Sequence, residues 1–192
     1  TWREGAGIDD DALVVIHVAR LYAVKNHAML LQAFSSLVES RSDARLVLVG
    51  SGPLEPSIRQ KVKRLGLEGH VVFAGEVPYE EIPDVYRAAD INVISSFSES
   101  FSFATLEGMA TGLPMVVTDT EWIPRLIGEG EGGRIVPIDD AKAFGQALCS
   151  LADDPEEVKN RGAFNRKAVV EDYRWRSSAE ALYKVYEKIV SN

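Results

Sequence analysis

One cysteine, Cys149, is all the sequence holds, which excludes an internal disulfide framework and fits a reducing compartment. No apolar run approaches the roughly 18 residues that a membrane-spanning helix needs, and no signal-peptide pattern opens the chain. Basic residues are in deficit, 21 Lys and Arg against 29 Asp and Glu for a net charge of −8. The basic footprint of a general nucleic-acid binder is therefore missing. An initiator methionine is missing too. Thr1-Trp2-Arg3 stands close to a buried-looking strand, and the chain is expected to be a piece of something longer.

What is present is ordinary for a soluble globular protein: 192 residues, 46% hydrophobic and 26% charged. The length fits one domain, and at this size folding buries roughly 70% of the unfolded chain's surface. Short β-branched runs at 13–19, 45–49, 70–73, 91–95, 114–118 and 134–137 read as strands covered on both faces. Helical patterns separate them at 26–40, 56–65, 79–89, 102–111 and 123–127. The remainder is helical: Asp139-Asp140 can cap a helix to about residue 152, and Asp154-Pro155-Glu156-Glu157 places a capping carboxylate, a proline at the first helical position and a glutamate at the third. A last helix runs over 177–191. Strands separated by helices predict an α/β, doubly wound parallel sheet of the Rossmann-like type. Residues 1–192 read as one domain, without repeat, low-complexity tract or linker.

In such a sheet, ligands bind outside the carboxyl ends of the strands. Arg20 closes the first strand and Lys25 follows before a helix N-terminus, an arrangement that suits an anion such as a diphosphate. By themselves they also read as two solvated surface charges. Glu107 sits among small and apolar neighbours and needs a partner or a ligand, because burying an unpaired carboxylate costs several kcal/mol. A ribose diol, a structural ion pair or a solvated helix edge each meets that need. Glu99 lies in the polar loop 95–100, where an exposed loop charge is the competing reading. Asp9-Asp10-Asp11 spells a D-x-D, but it precedes the first strand, and no metal site is expected. His17, inside an apolar strand, reads as a satisfied core histidine, and Arg59, Lys61, Lys63 and Arg64 as a solvated helix face.

The order of several fragments is more specific. They are His17-Val18-Ala19-Arg20-Leu21 with Lys25-Asn26, Leu48-Val49-Gly50-Ser51-Gly52-Pro53, Val72-Phe73-Ala74-Gly75-Glu76-Val77 and Tyr86-Arg87-Ala88-Ala89-Asp90. The most specific runs from Glu99 through Ser102-Phe103-Ala104-Thr105-Leu106-Glu107-Gly108 to Gly112-Leu113-Pro114, with seven residues between its two glutamates. Over its whole length the chain resembles the C-terminal, donor-binding half of retaining glycosyltransferases of family 4 (group 1), which have the two-domain GT-B architecture. The resemblance implies that Arg20 and Lys25 grip the donor's diphosphate, that Glu99 touches the transferred sugar, and that Glu107 holds the ribose. Phe101, Ser102 and Phe103 would offer backbone amides to the phosphates, while Val77 would line the base pocket and Gly52 belong to the donor site. It implies a nucleoside-diphosphate sugar as donor, UDP- or GDP-linked, and no cofactor or metal.

The remaining implications concern what lies outside the chain. A glycan or lipid-linked acceptor would bind a missing N-terminal domain, toward which residues 172–192 would pack. The isolated chain would then turn over poorly. The expected location is the cytoplasm, with any peripheral contact at the inner face of the membrane made through missing parts.

The sequence departs from the family pattern where glycine is usual and Ser100 and Ser102 stand. It departs again at Glu121-Trp122-Ile123-Pro124-Arg125, where a Gly-Gly turn and a glutamate are usual. Trp122 there either stacks on a sugar or simply packs. Three rival readings remain open: a non-catalytic doubly wound binding module, a nucleotide-sugar epimerase of similar architecture, and a phosphorylase, whose cofactor-lysine pocket is not visible.

Overall fold

β-branched runs too short for helices lie side by side in the computed structural model, which describes residues 1–190. The strands are β1 (Val14–Val18), β2 (Arg45–Val49), β3 (Val71–Gly75), β4 (Ile91–Ile94), β5 (Met115–Thr118) and β6 (Gly133–Val136). They form a parallel sheet in the order β3-β2-β1-β4-β5-β6. The helices are α1 (Trp2–Gly5), α2 (His27–Ser40), α3 (Glu55–Arg64), α4 (Ile82–Arg87), α5 (Phe103–Ala110), α6 (Ile123–Leu126), α7 (Ala141–Ala152), α8 (Pro155–Asp172) and α9 (Trp175–Val190).

Alternate strand residues serve opposite layers, because successive side chains of a strand point to opposite faces. Val15, Leu46, Leu48 and Val93 pack with Leu30, Phe34, Ile58 and Phe144 from α2, α3 and α7. Val14, Ile16, Val47 and Val49 pack on the other face with Val85 and Tyr86 of α4. Ile94, Met115 and Val117 meet Met109, Ile123 and Leu126 of α5 and α6 there. Helices on both faces explain why the strands read as unbroken apolar runs rather than alternating ones. The fold is thus the doubly wound, Rossmann-like one that the strand–helix alternation implies.

Boundaries differ by a few residues from those expected, two of them for reasons that the side chains show. The helix expected from residue 79 begins at Ile82, which leaves Pro83 in the first turn, where its missing N–H costs nothing. α2 begins at His27, since Asn26 adopts φ 48° and caps the helix through its side chain. α9 starts two residues earlier than expected, at Trp175, and its expected end at Ser191 lies outside the described residues. The short α1 was not foreseen. Thr1 and Glu4 form a reciprocal capping box around it.

The order reverses between β1 and β4, which pair directly. At such a switch point the loops after two neighbouring strands diverge and leave a crevice at the carboxyl edge. Asp9-Asp10-Asp11 precedes β1 and therefore belongs to the opposite edge.

Candidate functional site

The loops after β1 and β4 form the crevice walls, and several bonds stitch them together. Ser95 Oγ donates to the Lys25 carbonyl at 2.7 Å, and the Phe97 amide to the Val24 carbonyl at 2.8 Å. Lys25 Nζ reaches Glu99 Oε1 at 2.5 Å, and Ser96 Oγ donates to the same oxygen at 2.6 Å. The lysine side chain is 22% exposed and the glutamate 9%. The two expected ligand groups, 74 residues apart, are thus in direct contact. Arg20 lies exposed at the start of the same loop as Lys25, its guanidinium 5.2 Å from the centre of the Tyr22 ring.

α5 aims its N-terminus at the same edge. Ser102 caps it, its hydroxyl accepting from the Thr105 amide at 3.2 Å with φ −111°. That conformation is open to any residue, so serine replaces the family's usual glycine here without strain. The first amides of a helix lack intrahelical partners, and the helix dipole favours negative charge beside them. Phe101 and Phe103 flank the cap, both exposed and edge to face at 5.6 Å.

Glu107 lies one turn further along α5 and does have a protein partner. The Tyr86 hydroxyl lies 3.3 Å from its Oε2 and 3.0 Å from the Ala104 carbonyl. Burial pushes the Glu107 carboxyl above the ordinary carboxylate range, and the Tyr86 hydrogen bond pulls it part of the way back. Glu107 lines a cavity of about 570 Å³ with Tyr79, Phe101, Phe103, Tyr173 and Trp175 among its walls. Aromatic walls around one carboxylate suit a ligand with a flat ring and vicinal hydroxyls.

Val77 sits in the loop after β3, half-buried against the cluster of Val47, Val49 and Val85. Its loop is tied to the turn after β2 by the Ser51 hydroxyl, which donates to Glu76. Gly52 has a packing reason of its own. A Cβ there would lie 2.6 Å from the Leu21 carbonyl oxygen, so only glycine lets this turn press against the loop that carries Arg20. Trp122 is 42% exposed, with the Arg125 guanidinium 5.1 Å from its ring centre.

His17 is buried as expected but only half satisfied. Its Nδ1 meets the Val93 carbonyl at 2.9 Å, while Nε2 has no hydrogen-bond partner among the described residues. Its ring stands edge to face with His27 at 5.0 Å. Burial above all drives the two down to about 4 and about 3.

Sequence reading assigned no role to Ser96, Tyr86 or His27. Ser96 was detectable as a polar residue directly after a strand. Tyr86 opens the stretch Tyr86-Arg87-Ala88-Ala89-Asp90, but its bond from α4 to α5 has no signature in periodicity.

Residues 1–168 match the family described as glycosyl transferases group 1. The chain belongs to this family. Among curated relatives, N-acetyl-alpha-D-glucosaminyl L-malate synthase of Bacillus anthracis is 32% identical over 183 residues, 95% of this chain and 46% of that protein. D-inositol 3-phosphate glycosyltransferase of Streptomyces griseus is 32% identical over 199 residues, 99% of this chain and 42% of that one. The chain therefore spans about half the length of the curated relatives it matches. Among solved structures, sucrose-phosphate synthase of Thermosynechococcus elongatus superposes with a TM-score of 0.89 at 25% identity, over 98% of this chain and 48% of that one. Anabaena HepE in complex with UDP shares the fold at a TM-score of 0.89 and 20% identity, over 97% of this chain and 51% of its own. The C-terminal domain of the group 1 protein LpcC from Francisella tularensis, solved by itself, shares the fold at a TM-score of 0.78 and 23% identity, over 90% of this chain and 91% of that one.

Proposed function

We propose that the chain is the donor-binding half of a glycosyltransferase. It would move a sugar from a nucleoside-diphosphate sugar to a hydroxyl acceptor, with retention of anomeric configuration and without a metal. The observation that carries this reading is the contact of Lys25 and Glu99 across the β1/β4 switch point, between the loop that also carries Arg20 and the loop that leads into α5. As the bond to the anomeric carbon breaks, negative charge grows on the β-phosphate. Arg20, Lys25 and the amides of Ser102 and Phe103 supply fixed positive potential there. In the free chain Lys25 neutralises Glu99. A diphosphate that takes over the lysine leaves Glu99 as an acceptor for sugar hydroxyls. Glu107 receives the ribose diol, and the loop carrying Val77 faces the base. No cofactor enters this scheme.

The acceptor, a glycan or a lipid-linked hydroxyl, would be held by the other half of the protein. The apolar face of α9, with Leu182, Val185, Tyr186 and Ile189 exposed, supports packing against that half. The 192-residue chain then binds the donor nucleotide but transfers no sugar, and detectable acceptor glycosylation by the purified chain contradicts the division of labour.

Because HepE was solved with UDP, calorimetry starts with UDP and compares GDP and ADP. One of the three binds saturably. Glu107→Ala weakens that binding by about 1.5–3 kcal/mol, the worth of hydrogen bonds to a charged acceptor. Failure of all three to bind contradicts the donor-domain reading and favours a non-catalytic module.

A further inference from the structure

Tyr86 is among the largest fully buried side chains, 1% exposed, on the inner side of α4. A buried phenolic hydroxyl must find a partner, and this one has two oxygens within reach, Ala104 O at 3.0 Å and Glu107 Oε2 at 3.3 Å. The Ala104 carbonyl has other donors, since it lies inside α5 and also accepts from Asn92 Nδ2 at 3.2 Å. Glu107 depends more heavily on the tyrosine, because among the described residues no other hydrogen-bond donor meets its carboxylate. The two acceptors stand three residues apart, so one hydroxyl braces the glutamate against its own helical turn.

We infer that Tyr86 is a positioning residue for donor binding: its hydroxyl anchors Oε2 of Glu107 and leaves Oε1 as a charged acceptor for a diol in the cavity that Glu107 lines. The inference rests on the reading of Glu107 as the ribose carboxylate. Few other titratable groups face this site. Tyr79 and Tyr173 line the same cavity, and Arg166 of α8 spends its guanidinium on the Ala110 carbonyl. Burial favours the neutral acid and the phenol favours the carboxylate, so removing the hydroxyl leaves burial unopposed.

The test is Tyr86→Phe in the full chain, which keeps the buried ring. The carboxyl of Glu107 is titrated by carbon NMR without ligand, and UDP affinity is followed against pH. In the variant, Glu107 titrates at higher pH, the acid limb of UDP binding rises with it, and affinity at neutral pH falls roughly three- to tenfold. A merely structural tyrosine lowers Tm but leaves that limb in place. An unchanged Glu107 titration overturns the proposal, even where Glu107→Ala still weakens UDP. A shifted titration with UDP affinity unmoved shows instead that Glu107 does not hold the nucleotide, and positioning for that ligand falls with it. Should Tyr86→Phe fail to fold, Glu107→Gln serves: with the negative charge gone, the Tyr86 phenol ionises at lower pH by ultraviolet titration, and an unmoved phenol contradicts the contact.

Discussion

His17 and His27 show what burial does to a titratable side chain beside a cation. Desolvation disfavours both imidazolium forms, and Lys25 adds repulsion to each. The folded state therefore holds them neutral while the unfolded chain protonates near 6.5. Their contribution to stability is complete above that value and is lost as pH falls toward the folded values. For His17, a shift from 6.5 to about 4 corresponds to roughly 3 kcal/mol. Urea unfolding at pH 7.5 and 4.5 tests this: His17→Gln removes up to about 3 kcal/mol of the acid sensitivity. Equal sensitivity in variant and wild type contradicts the assignment. Residue chemistry of this kind was only partly legible in the sequence. Lys25 and Glu99 stand out as polar residues after strands. Their contact with each other forms only when β1 and β4 pair, whereas the Ser96 bond to Glu99 is local to the loop after β4.

At the scale of elements, α5 matters most because it carries Ser102 at its cap and Glu107 in its body. Its seating on β4 requires Gly108. A Cβ there would lie 2.0 Å from Nδ2 of Asn92, a fully buried side chain that also holds the Ala104 carbonyl. Gly108→Ala forces α5 off the sheet, so stability falls by about 1–3 kcal/mol and UDP binding weakens with it. Chemical denaturation and calorimetry on one preparation check both, and a neutral substitution contradicts the close seating. Ser102→Ala costs about 1 kcal/mol through the lost cap, whereas Ser102→Gly costs a few tenths, by the same denaturation measurement. The elements themselves were legible, since each strand is an apolar run closed by turn residues. Boundaries were less so where side-chain geometry decides them, as with Pro83 in the first turn of α4 and Asn26 at φ 48°.

For the whole molecule, strand–helix alternation was enough to imply a doubly wound sheet, and the strand order then places the crevice at β1 and β4. The cavity's wall from α8 and α9 was not legible, because Tyr173 and Trp175 reach it only through the path of the chain after the sheet. α9 buries no residue, so ending the chain after Arg174 changes the unfolding free energy by no more than about 1 kcal/mol. A larger loss by urea denaturation means that α9 belongs to this half's own core. Among the described residues no helix is long and apolar enough to cross a membrane. The most direct measurement of what the crevice does is amide chemical-shift mapping of the 192-residue chain during a UDP titration. The shifts should concentrate at residues 20–26, 74–79 and 96–107, saturate together, and shrink in Glu107→Ala. Shifts scattered elsewhere, or none at all, contradict a nucleotide site at this switch point.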